Sequence, residues 1–291
     1  MEIEFETAIN EYLKYSKISL KESTYREKEI KIRKYILPFF KDKYINELLL
    51  VDILKWKEYI NSFDFKYNYK SYLYYCLTTF FDYLIKYYNF NRNLARIEGN
   101  FKNNDIEIQG NIWTIEEFNK FKSVINNLEH KIIFDLLFFT GIRKGELLAL
   151  NWNDINFNDK TININKTITC NHKIQSPKTK SSNRIIYIPD NIVFELEKLN
   201  INTQKELIFN ISFTQLKRIK DYYCMKSNVK KIKIHEFRHS HACLLYQNNI
   251  DIEDISHRLG HNSIDITMKV YLKNLPRNEK RVINLLNSLN C

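Results

Sequence analysis

Residues 235–271 of the 291-residue chain read HEFRHSHACLLYQNNIDIEDISHRLGHNSIDITMKVY. The stretch contains side chains that can bind an anion and a hydroxyl that can attack one: His235, Arg238, His261 and Tyr271. Apolar residues at helical spacing predict a first helix, which places the first two of these side chains on one face. Gly260 interrupts the pattern, and a final short helix can carry the tyrosine. This mixture is typical of a chemical site rather than of a hydrophobic core.

The letters HEFRH at 235–239 also match H-E-x-x-H, in which two imidazoles one helical turn apart bind zinc and the glutamate is the general base. The longer form of this motif fails, because Ala242 and Leu245 stand where it requires a glycine and a third histidine. A third ligand would have to be His261 or Glu253, at no recognised spacing. A zinc metallopeptidase is therefore the weakest of the alternative functions.

Length and composition favour a cytoplasmic protein with two domains. A chain of 291 residues is long enough for two hydrophobic cores. No apolar run reaches the length of a membrane span and the acidic start MEIEFETAIN differs from a signal peptide, so no membrane partner is expected. Five cysteines without C-x-x-C spacing fit a reducing compartment and offer no metal cage: Cys76, Cys170, Cys224, Cys243 and Cys291.

The net charge of +11 indicates a polyanionic partner. Residues 111–291 carry 27 Lys and Arg against 18 Asp and Glu, whereas residues 1–110 carry 18 against 16. Within residues 217–233, the basic stretch, Asp221 is the single acid among seven basic residues: Lys217, Arg218, Lys220, Lys226, Lys230, Lys231 and Lys233. A phosphate backbone would be drawn to this stretch, and a solvated helix face is the alternative interpretation.

Residues 1–98 are predicted to form a small helical bundle. The chain shows four helical patterns, near residues 5–13, 25–40, 51–60 and 69–88. Pro38 is expected to close the second of them. The tyrosines and phenylalanines of the fourth are interpreted as core residues rather than as base-stacking groups. Residues 99–111 lose the periodicity and are rich in Gly and Asn, which predicts a linker.

The second predicted domain, residues 112–291, opens with helices. The letters TIEE at 114–117 form a capping box at the start of one helix, and Gly141 can end the next. Arg143 then stands at the mouth of a new helix, where exposed amides favour an anion and Glu146 can hold the guanidinium in position. A surface arginine with an i, i+3 partner is the alternative interpretation.

A small antiparallel β-sheet is predicted in the middle of this domain. Residues 161–170 alternate as a strand, and residues 184–188 form a second apolar run after a turn that begins at Pro177. Lys178 and Lys180 would lie on the rim of this sheet, where a lysine can enter a site and donate a proton. The fold class is therefore mainly α with a small antiparallel β-sheet: an all-helical amino-terminal domain followed by an α+β domain.

Five elements, in order and spacing, resemble the tyrosine recombinase (phage integrase) family. They are TGIRKGELLALNW at 140–152, the Pro-Lys-Thr turn at 177–179, H-x-x-R at 235–238, Leu-Gly-His at 259–261, and Tyr271. By this resemblance, residues 1–98 correspond to a core-binding (SAM-like) DNA-binding domain and residues 112–291 to the catalytic domain. The acidic start leaves no room for the arm-binding domain of many integrases, so the short two-domain type is expected.

The resemblance implies a site-specific DNA recombinase that cleaves and rejoins DNA through a 3′-phosphotyrosine intermediate. Tyr271 would be the nucleophile, and the covalent bond would preserve the energy needed for religation, so no nucleotide cofactor is expected. Arg143 and Arg238 would hold the non-bridging phosphate oxygens, where negative charge grows. They would take the place that a metal ion has in other phosphoryl-transfer enzymes, so no metal is expected either.

The remaining site residues are also implied by the resemblance. His235 would be the general base or its hydrogen-bonding helper, and His261 would hydrogen-bond the same phosphate. Lys178 would protonate the leaving 5′ oxygen, with Lys180 as the fallback for this role. Supporting roles would fall to His239, His241 and Arg258.

The expected partner is double-stranded DNA with specific core sites, bound by a homo-tetramer. An apolar tail, residues 276–291, would dock into a neighbouring protomer, and such head-to-tail contacts close into a ring. A type IB-like DNA topoisomerase with the same nucleophile is the alternative function. It would relax supercoils as a monomer and would not join two sites.

Overall fold

The computed structural model describes residues 2–103, 111–169, 173–176, 182–201 and 206–260. The chain divides into two compact units, Met1–Glu107 and Ile108–Cys291. Helices dominate both units, and the β-strands of the described residues are short, antiparallel and confined to the second unit. The predicted fold class, mainly α with a small antiparallel β-sheet, is confirmed. No helix within these ranges is long and apolar enough to cross a membrane.

The first unit is a helical bundle with an aromatic core. Its helices are α1 (Phe5–Ser19), α2 (Glu22–Lys31), α3 (Leu37–Phe40), α4 (Leu50–Asn61), α5 (Tyr67–Tyr88) and α6 (Leu94–Glu98). The ring of Phe5 stacks on Phe40 and meets Phe80 edge-on, with ring centroids 4.9 and 5.0 Å apart. Most aromatic residues of α5 lie in or against this core, as predicted, but Tyr75 and Tyr87 are exposed. The sequence pattern did not predict α6.

Pro38 does not close the second helix as the sequence predicted. The chain passes from α2 through a π-helical turn, Ile32–Ile36, directly into α3, where Pro38 lies in the first turn. Proline lacks an amide hydrogen and its ring clashes with the carbonyl one turn earlier in a regular α-helix. The wider π turn relieves this clash, so that one continuous helical segment spans residues 22–40.

The second unit is built around one buried helix. Its helices are α7 (Ile115–Lys122), α8 (Leu128–Thr140), α9 (Lys144–Leu147), α10 (Asp190–Ile201), α11 (Phe213–Ser227), α12 (Ile234–Gln247) and α13 (Ile252–Leu259). Every side chain of residues 132–138 in α8 is buried, and α7, α10 and α12 pack against this helix. The capping box at Thr114 and Glu117 is confirmed, as is the end of α8 at Gly141 in left-handed conformation.

The described residues of the second unit also form two small antiparallel sheets. Strands β1 (Ile155–Asn156), β2 (Thr161–Ile164) and β5 (Arg184–Tyr187) form one sheet in the order β1-β2-β5, and β3 (Thr167–Ile168) pairs with β4 (Ile174–Gln175) in the other. The strand predicted over residues 161–170 is therefore broken. Lys166 lies at the break, and its ammonium is 2.7 Å from the carboxylate of Asp154. This ion pair holds the chain where it passes from one sheet to the other.

Candidate active site

Six residues were predicted to form the site, and three of them lie in the described part of the chain: Arg143, His235 and Arg238. Outside the described residues lie Lys178, His261, Tyr271, the fallback Lys180 and the tail 276–291. Arg143 immediately precedes α9, and the other two described residues stand in the first half of α12. The geometry of the site is thus given by α9, α12 and the elements that hold them.

A tight turn between α8 and α9 places Arg143. Gly141 has a φ of +65° in this turn, a backbone conformation that L side chains rarely adopt. A Cβ atom on Gly141 would lie 2.6 Å from Cδ2 of Leu259 and 2.8 Å from Cδ2 of His241. The glycine therefore allows α12 and α13 to approach the turn closely.

Arg143 is held by one carboxylate and one main-chain carbonyl. Its Nη1 donates to Oε1 of Glu146 at 2.7 Å, and its Nη2 donates to the carbonyl of Gly260 at 3.0 Å. The Arg143 side chain is 33 % exposed, whereas that of Glu146 is 3 % exposed. The predicted contact with Glu146 is confirmed. The additional bond to Gly260 distinguishes Arg143 from an ordinary surface arginine with an i, i+3 partner.

Arg238 is bound to the same region from the buried face of α12. Its Nη1 donates to the carbonyl of Gly141 at 2.8 Å, and its Nη2 donates to the carbonyl of Leu259. Only 2 % of Arg238 is exposed. Because Arg143 binds the carbonyl of Gly260, which follows Leu259, the two guanidinium groups converge on the carboxyl end of α13.

His235 lies one turn before Arg238 on the exposed side of α12. The pKa of His235 is lowered to about 4, first by desolvation against neighbouring protein atoms and then by the charges of His239, Arg238, Arg143 and Lys144. The imidazole is therefore neutral at neutral pH and can accept a proton or a hydrogen bond. His235 and Arg238, three residues apart on α12, lie on the same side of that helix.

The zinc hypothesis also depends on α12. The rings of His235 and His239 are 4.8 Å apart, with an interplanar angle of 82°. Glu236, the general base in that hypothesis, instead caps the helix, where its carboxylate accepts a hydrogen bond from the amide of Lys233. Over the parts of the chain that the structure covers, no three His, Cys, Asp or Glu side chains lie close enough to share a metal ion.

Arg184 belongs to this arrangement although the sequence pattern did not reveal it. It begins β5 with its side chain 2 % exposed, and it donates to the two carboxylate oxygens of Glu146 at 3.2 and 2.9 Å. Burial raises the pKa of Glu146, but Arg184 and then Arg143 outweigh this effect and lower it. One sequence feature could have indicated that Arg184 is buried: residues alternate between the two faces of β5, and Arg184 and Ile186 share the buried face.

His241 and Arg258 connect α13 to its neighbours. The Nε of Arg258 donates to Nε2 of His241 at 3.2 Å, and its Nη2 donates to the carbonyl of Tyr187 at 3.0 Å. Burial, followed by the charge of Arg258, lowers the pKa of His241 to about 3, so this imidazole is neutral. The carboxyl end of α13, which receives both site arginines, is thus attached to α12 and to β5.

The arrangement as a whole favours an anion. The guanidinium groups of Arg143, Arg184 and Arg238 meet one carboxylate, that of Glu146, and the carbonyl oxygens that they also bind carry only partial negative charge. The neutral imidazole of His235 adds no charge. A cluster of this charge attracts an anion and repels a metal cation. The planar N–H fork of arginine matches the oxygens of a phosphate, so a phosphate ester is the substrate group that the described residues fit best.

Comparisons with known proteins identify the protein family to which this chain belongs. The model of the phage integrase family matches residues 113–277, and that of the phage integrase N-terminal SAM-like domain matches residues 4–60. The chain is 28% identical to the ICEBs1 integrase of Bacillus subtilis (strain 168), over 99% of this chain and 83% of that protein. It is also 28% identical to a XerC-like tyrosine recombinase of Caldanaerobacter subterraneus, over 63% of this chain and 56% of that protein.

Solved structures of lower identity share the fold. The Tn1549 transposon integrase in complex with a circular intermediate DNA superposes with a TM-score of 0.82 at 17% identity, over 97% of this chain and 99% of that chain. A lambda integrase dimer bound to a COC′ core site gives a TM-score of 0.73 at 17% identity, over 95% and 79% of the two chains. The chain therefore belongs to the phage integrase family and is a tyrosine recombinase, an enzyme of site-specific DNA recombination.

Proposed function

We propose that this recombinase binds double-stranded DNA at specific core sites and cleaves it through a 3′-phosphotyrosine intermediate. The phenolic oxygen of Tyr271 attacks the scissile phosphorus, a bond from phosphorus to this oxygen forms, and the bond to the 5′ oxygen breaks. The number of phosphoester bonds is unchanged. Attack by a 5′ hydroxyl on the phosphotyrosine then rejoins a strand without a nucleotide cofactor.

The convergence of Arg143 and Arg238 carries this proposal. Their guanidinium groups bind the carbonyls of consecutive residues, Gly260 and Leu259, and the chain continues directly to His261. Negative charge grows on the non-bridging oxygens as the tyrosine attacks, and guanidinium groups already in place stabilise that charge. His261 adds a hydrogen bond to the same phosphate. The arginines take over the charge stabilisation that metal ions supply in other phosphoryl-transfer enzymes.

Proton transfer is assigned to His235 and Lys178. Free tyrosine has a pKa of about 10, so the phenol of Tyr271 must lose its proton as it attacks. The lowered pKa of His235 keeps its imidazole neutral and able to accept that proton or to hydrogen-bond the phenol. Lys178 protonates the leaving 5′ oxygen, and Lys180 is the fallback for this role.

We also propose a separate role for each part of the chain. Residues 1–98 are the core-binding domain, residues 99–111 the linker and residues 112–291 the catalytic domain. The match of the SAM-like domain to residues 4–60 supports the first assignment. The apolar tail, residues 276–291, docks into a neighbouring protomer of a homo-tetramer that holds two duplexes.

A covalent-trapping experiment tests the mechanism. The full chain is incubated in EDTA with nicked genomic fragments from its source organism, which lose the leaving strand and cannot be rejoined. We expect DNA adducts that survive detergent with the wild-type chain and none with Tyr271→Phe, and peptide mapping should find the DNA at residue 271. An adduct that persists in the variant, or that requires a metal ion, would contradict the proposal.

The DNA fragments that become attached to the protein can be isolated and sequenced, which permits a second test. Two differently labelled duplexes that carry the recovered sequence should exchange their flanks when the chain is added. Relaxation of supercoiled DNA without exchange would instead indicate a topoisomerase.

A further inference from the structure

We propose that Arg184 is a positioning residue for strand cleavage, which keeps Arg143 available to a phosphate by satisfying the buried carboxylate between them. This inference rests on the proposed role of Arg143 and extends it to a side chain that is too buried to touch DNA. Arg184 acts through Glu146, and its contacts show how.

Glu146 lies between two arginines and is fully used by them. Its Oε1 accepts from Nη1 of Arg143 at 2.7 Å and from Nη1 of Arg184 at 3.2 Å. Its Oε2 accepts from Nη2 of Arg184 at 2.9 Å and from the amide of Arg143 at 3.0 Å. Because only 3 % of the Glu146 side chain is exposed, water screens these charges little.

Charge balance gives Arg184 its function. One carboxylate between two guanidinium groups leaves a net charge of +1 on the triplet, and Arg143 is its more exposed member. Without Arg184, the carboxylate of Glu146 would neutralise Arg143 alone, and the attraction of the site for a phosphate would fall. The buried arginine therefore maintains the positive charge of the exposed one.

Arg184 also fixes the surroundings of Arg143. Its Nε donates to the carbonyl of Arg258 at 2.8 Å, and its Nη1 donates to the carbonyl of Ser182 at 3.0 Å. Arg258 lies two residues before Gly260, whose carbonyl binds Arg143. One guanidinium thus joins β5, the carboxylate and the end of α13, which a lysine cannot do with a single ammonium group.

A purely structural role and a charge-balancing role make different predictions. In Arg184→Gln, the carboxylate of Glu146 keeps Arg143 as its one cationic partner among the described residues, and both accounts predict slower cleavage. Adding Glu146→Gln removes that negative charge and returns the pair to a net +1. The charge account predicts that the double variant is faster than Arg184→Gln, whereas a structural account predicts no recovery.

The experiment measures single-turnover adduct formation at Tyr271 on the trapped duplex, with wild type, R184Q, R184K and R184Q/E146Q. We expect R184Q to be slower by about 10- to 100-fold, which is the range for residues that orient a functional group. R184K should be intermediate, and the double variant should recover at least about tenfold over R184Q. Lys122→Gln is the matched control, since it removes the partner of another fully buried carboxylate, Asp135, in the same unit.

Thermal unfolding of each variant separates stability from rate. Lys122→Gln should lower the Tm and leave the rate of adduct formation near that of the wild type. A rate for R184Q equal to the wild type, or a double variant no faster than R184Q, overturns the inference. Should R184Q fail to fold, the double variant decides: a rate within about tenfold of the wild type supports the charge account, and a slower one overturns it. Absence of any wild-type adduct would instead overturn the proposed function.

Discussion

The two units of the chain bury positive charge in different ways. In the first, Lys28 is 4 % exposed, and its ammonium donates to the hydroxyls of Tyr12 and Thr79 and lies 5.0 Å from the centre of the Tyr12 ring. In the second, Arg238 is 2 % exposed and donates to two main-chain carbonyls. Lys28 meets side chains of its own helical bundle, whereas Arg238 joins a second arginine at the end of α13.

If the proposed function is correct, this difference separates a structural cation, Lys28, from a catalytic one, Arg238. The partners of Lys28 also bind each other, since the Tyr12 hydroxyl donates to Thr79 at 2.7 Å. The carbonyl partners of Arg238 and Arg143 belong to consecutive residues, so removal of either arginine changes one shared site. Substitutions in the two units should therefore have unequal consequences.

The largest effect is expected from replacing one cation in each unit. Arg238→Lys keeps the charge but loses the fork that bridges two carbonyls, so adduct formation should slow by about 10²- to 10³-fold. Lys28→Met places an apolar chain of similar length in the core and leaves Tyr12 and Thr79 paired. Its free energy of unfolding should change by less than about 1.5 kcal/mol, with an unchanged rate. Single-turnover cleavage measures the rate of adduct formation, and urea unfolding measures the free energy of unfolding. Equal slowing of adduct formation by the two variants would contradict the different roles assigned to Arg238 and Lys28.

Glycines with positive φ give the next comparison. Gly141→Ala would place Cβ 2.6 Å from Leu259, whereas a Cβ on Gly99, at φ +83°, would meet nothing within 4 Å. Gly99 has a ψ of 166°, a region almost restricted to glycine, whereas Gly141 is left-handed with a ψ of 19°. We expect Gly99→Ala to cost about 1–3 kcal/mol from backbone strain alone, and Gly141→Ala about 3–4 kcal/mol, because overpacking adds to its strain. Urea unfolding followed by circular dichroism measures these losses. Equal losses would show that α13 adjusts to the added methyl group.

Two buried carboxylates, one in each unit, should respond to pH in opposite directions. Burial raises the pKa of Asp135 to about 6, although Lys122 opposes this. Burial also raises the pKa of Asp52, but the amide of Leu49 and the ammonium of Lys43 outweigh it, and the net pKa is lowered. The contribution of Asp135 to stability is therefore complete below about pH 4 and lost as the pH rises through about 6. That of Asp52 is present above about pH 4 and lost as the pH falls further.

The corresponding asparagine variants test this pair. Between about pH 4 and about pH 7.5, Asp135→Asn should gain stability relative to the wild type by about 1–2 kcal/mol. Asp52→Asn should keep a nearly constant difference from the wild type over this range, and it should gain stability relative to the wild type as the pH falls from about 4 to about 2.5. Urea unfolding at the three pH values measures these differences, and a gain by Asp52→Asn between about pH 4 and about pH 7.5 would contradict the assignment.

The smallest effects are expected in the basic stretch. Lys231 and Lys233 are exposed, whereas Lys220 is buried and donates to a main-chain carbonyl, so it serves the fold. Replacing either exposed lysine with glutamine should weaken DNA binding only a few-fold and reduce the slope of log affinity against log salt by about one. Fluorescence anisotropy at several salt concentrations measures the slope, with Lys28→Met as the control. An unchanged slope would favour the solvated helix face.

Local contacts explain what the sequence could predict. The capping box at Thr114, the end of α8 at Gly141 and the contact between Arg143 and Glu146 all join residues within one helical turn. Arg184 binds Glu146 across 38 residues, and no spacing rule connects a strand to a helix at that distance. The sequence pattern could therefore show that Arg184 faces inward but could not show which carboxylate it meets.

Two of the errors in the secondary structure have a similar origin. The helical periodicity before Pro38 does not distinguish an α-helix that ends from one that widens into a π turn and continues. The alternation over residues 161–170 does not reveal that Lys166 pairs with Asp154 and separates β2 from β3. The roles of Lys178, His261 and Tyr271 stay predictions from their motifs.

Arg238 is anchored to two main-chain carbonyls, and Arg143 is anchored to one main-chain carbonyl as well as to the carboxylate of Glu146. Every amino acid supplies a carbonyl, so a substitution at residue 259 leaves its anchor chemically intact wherever the backbone keeps its path, whereas Gly260 has a φ of +66°, which favours glycine. The constraint then falls on positions that set this path, above all Gly141. Main-chain anchors of this kind can persist while the sequence around them diverges.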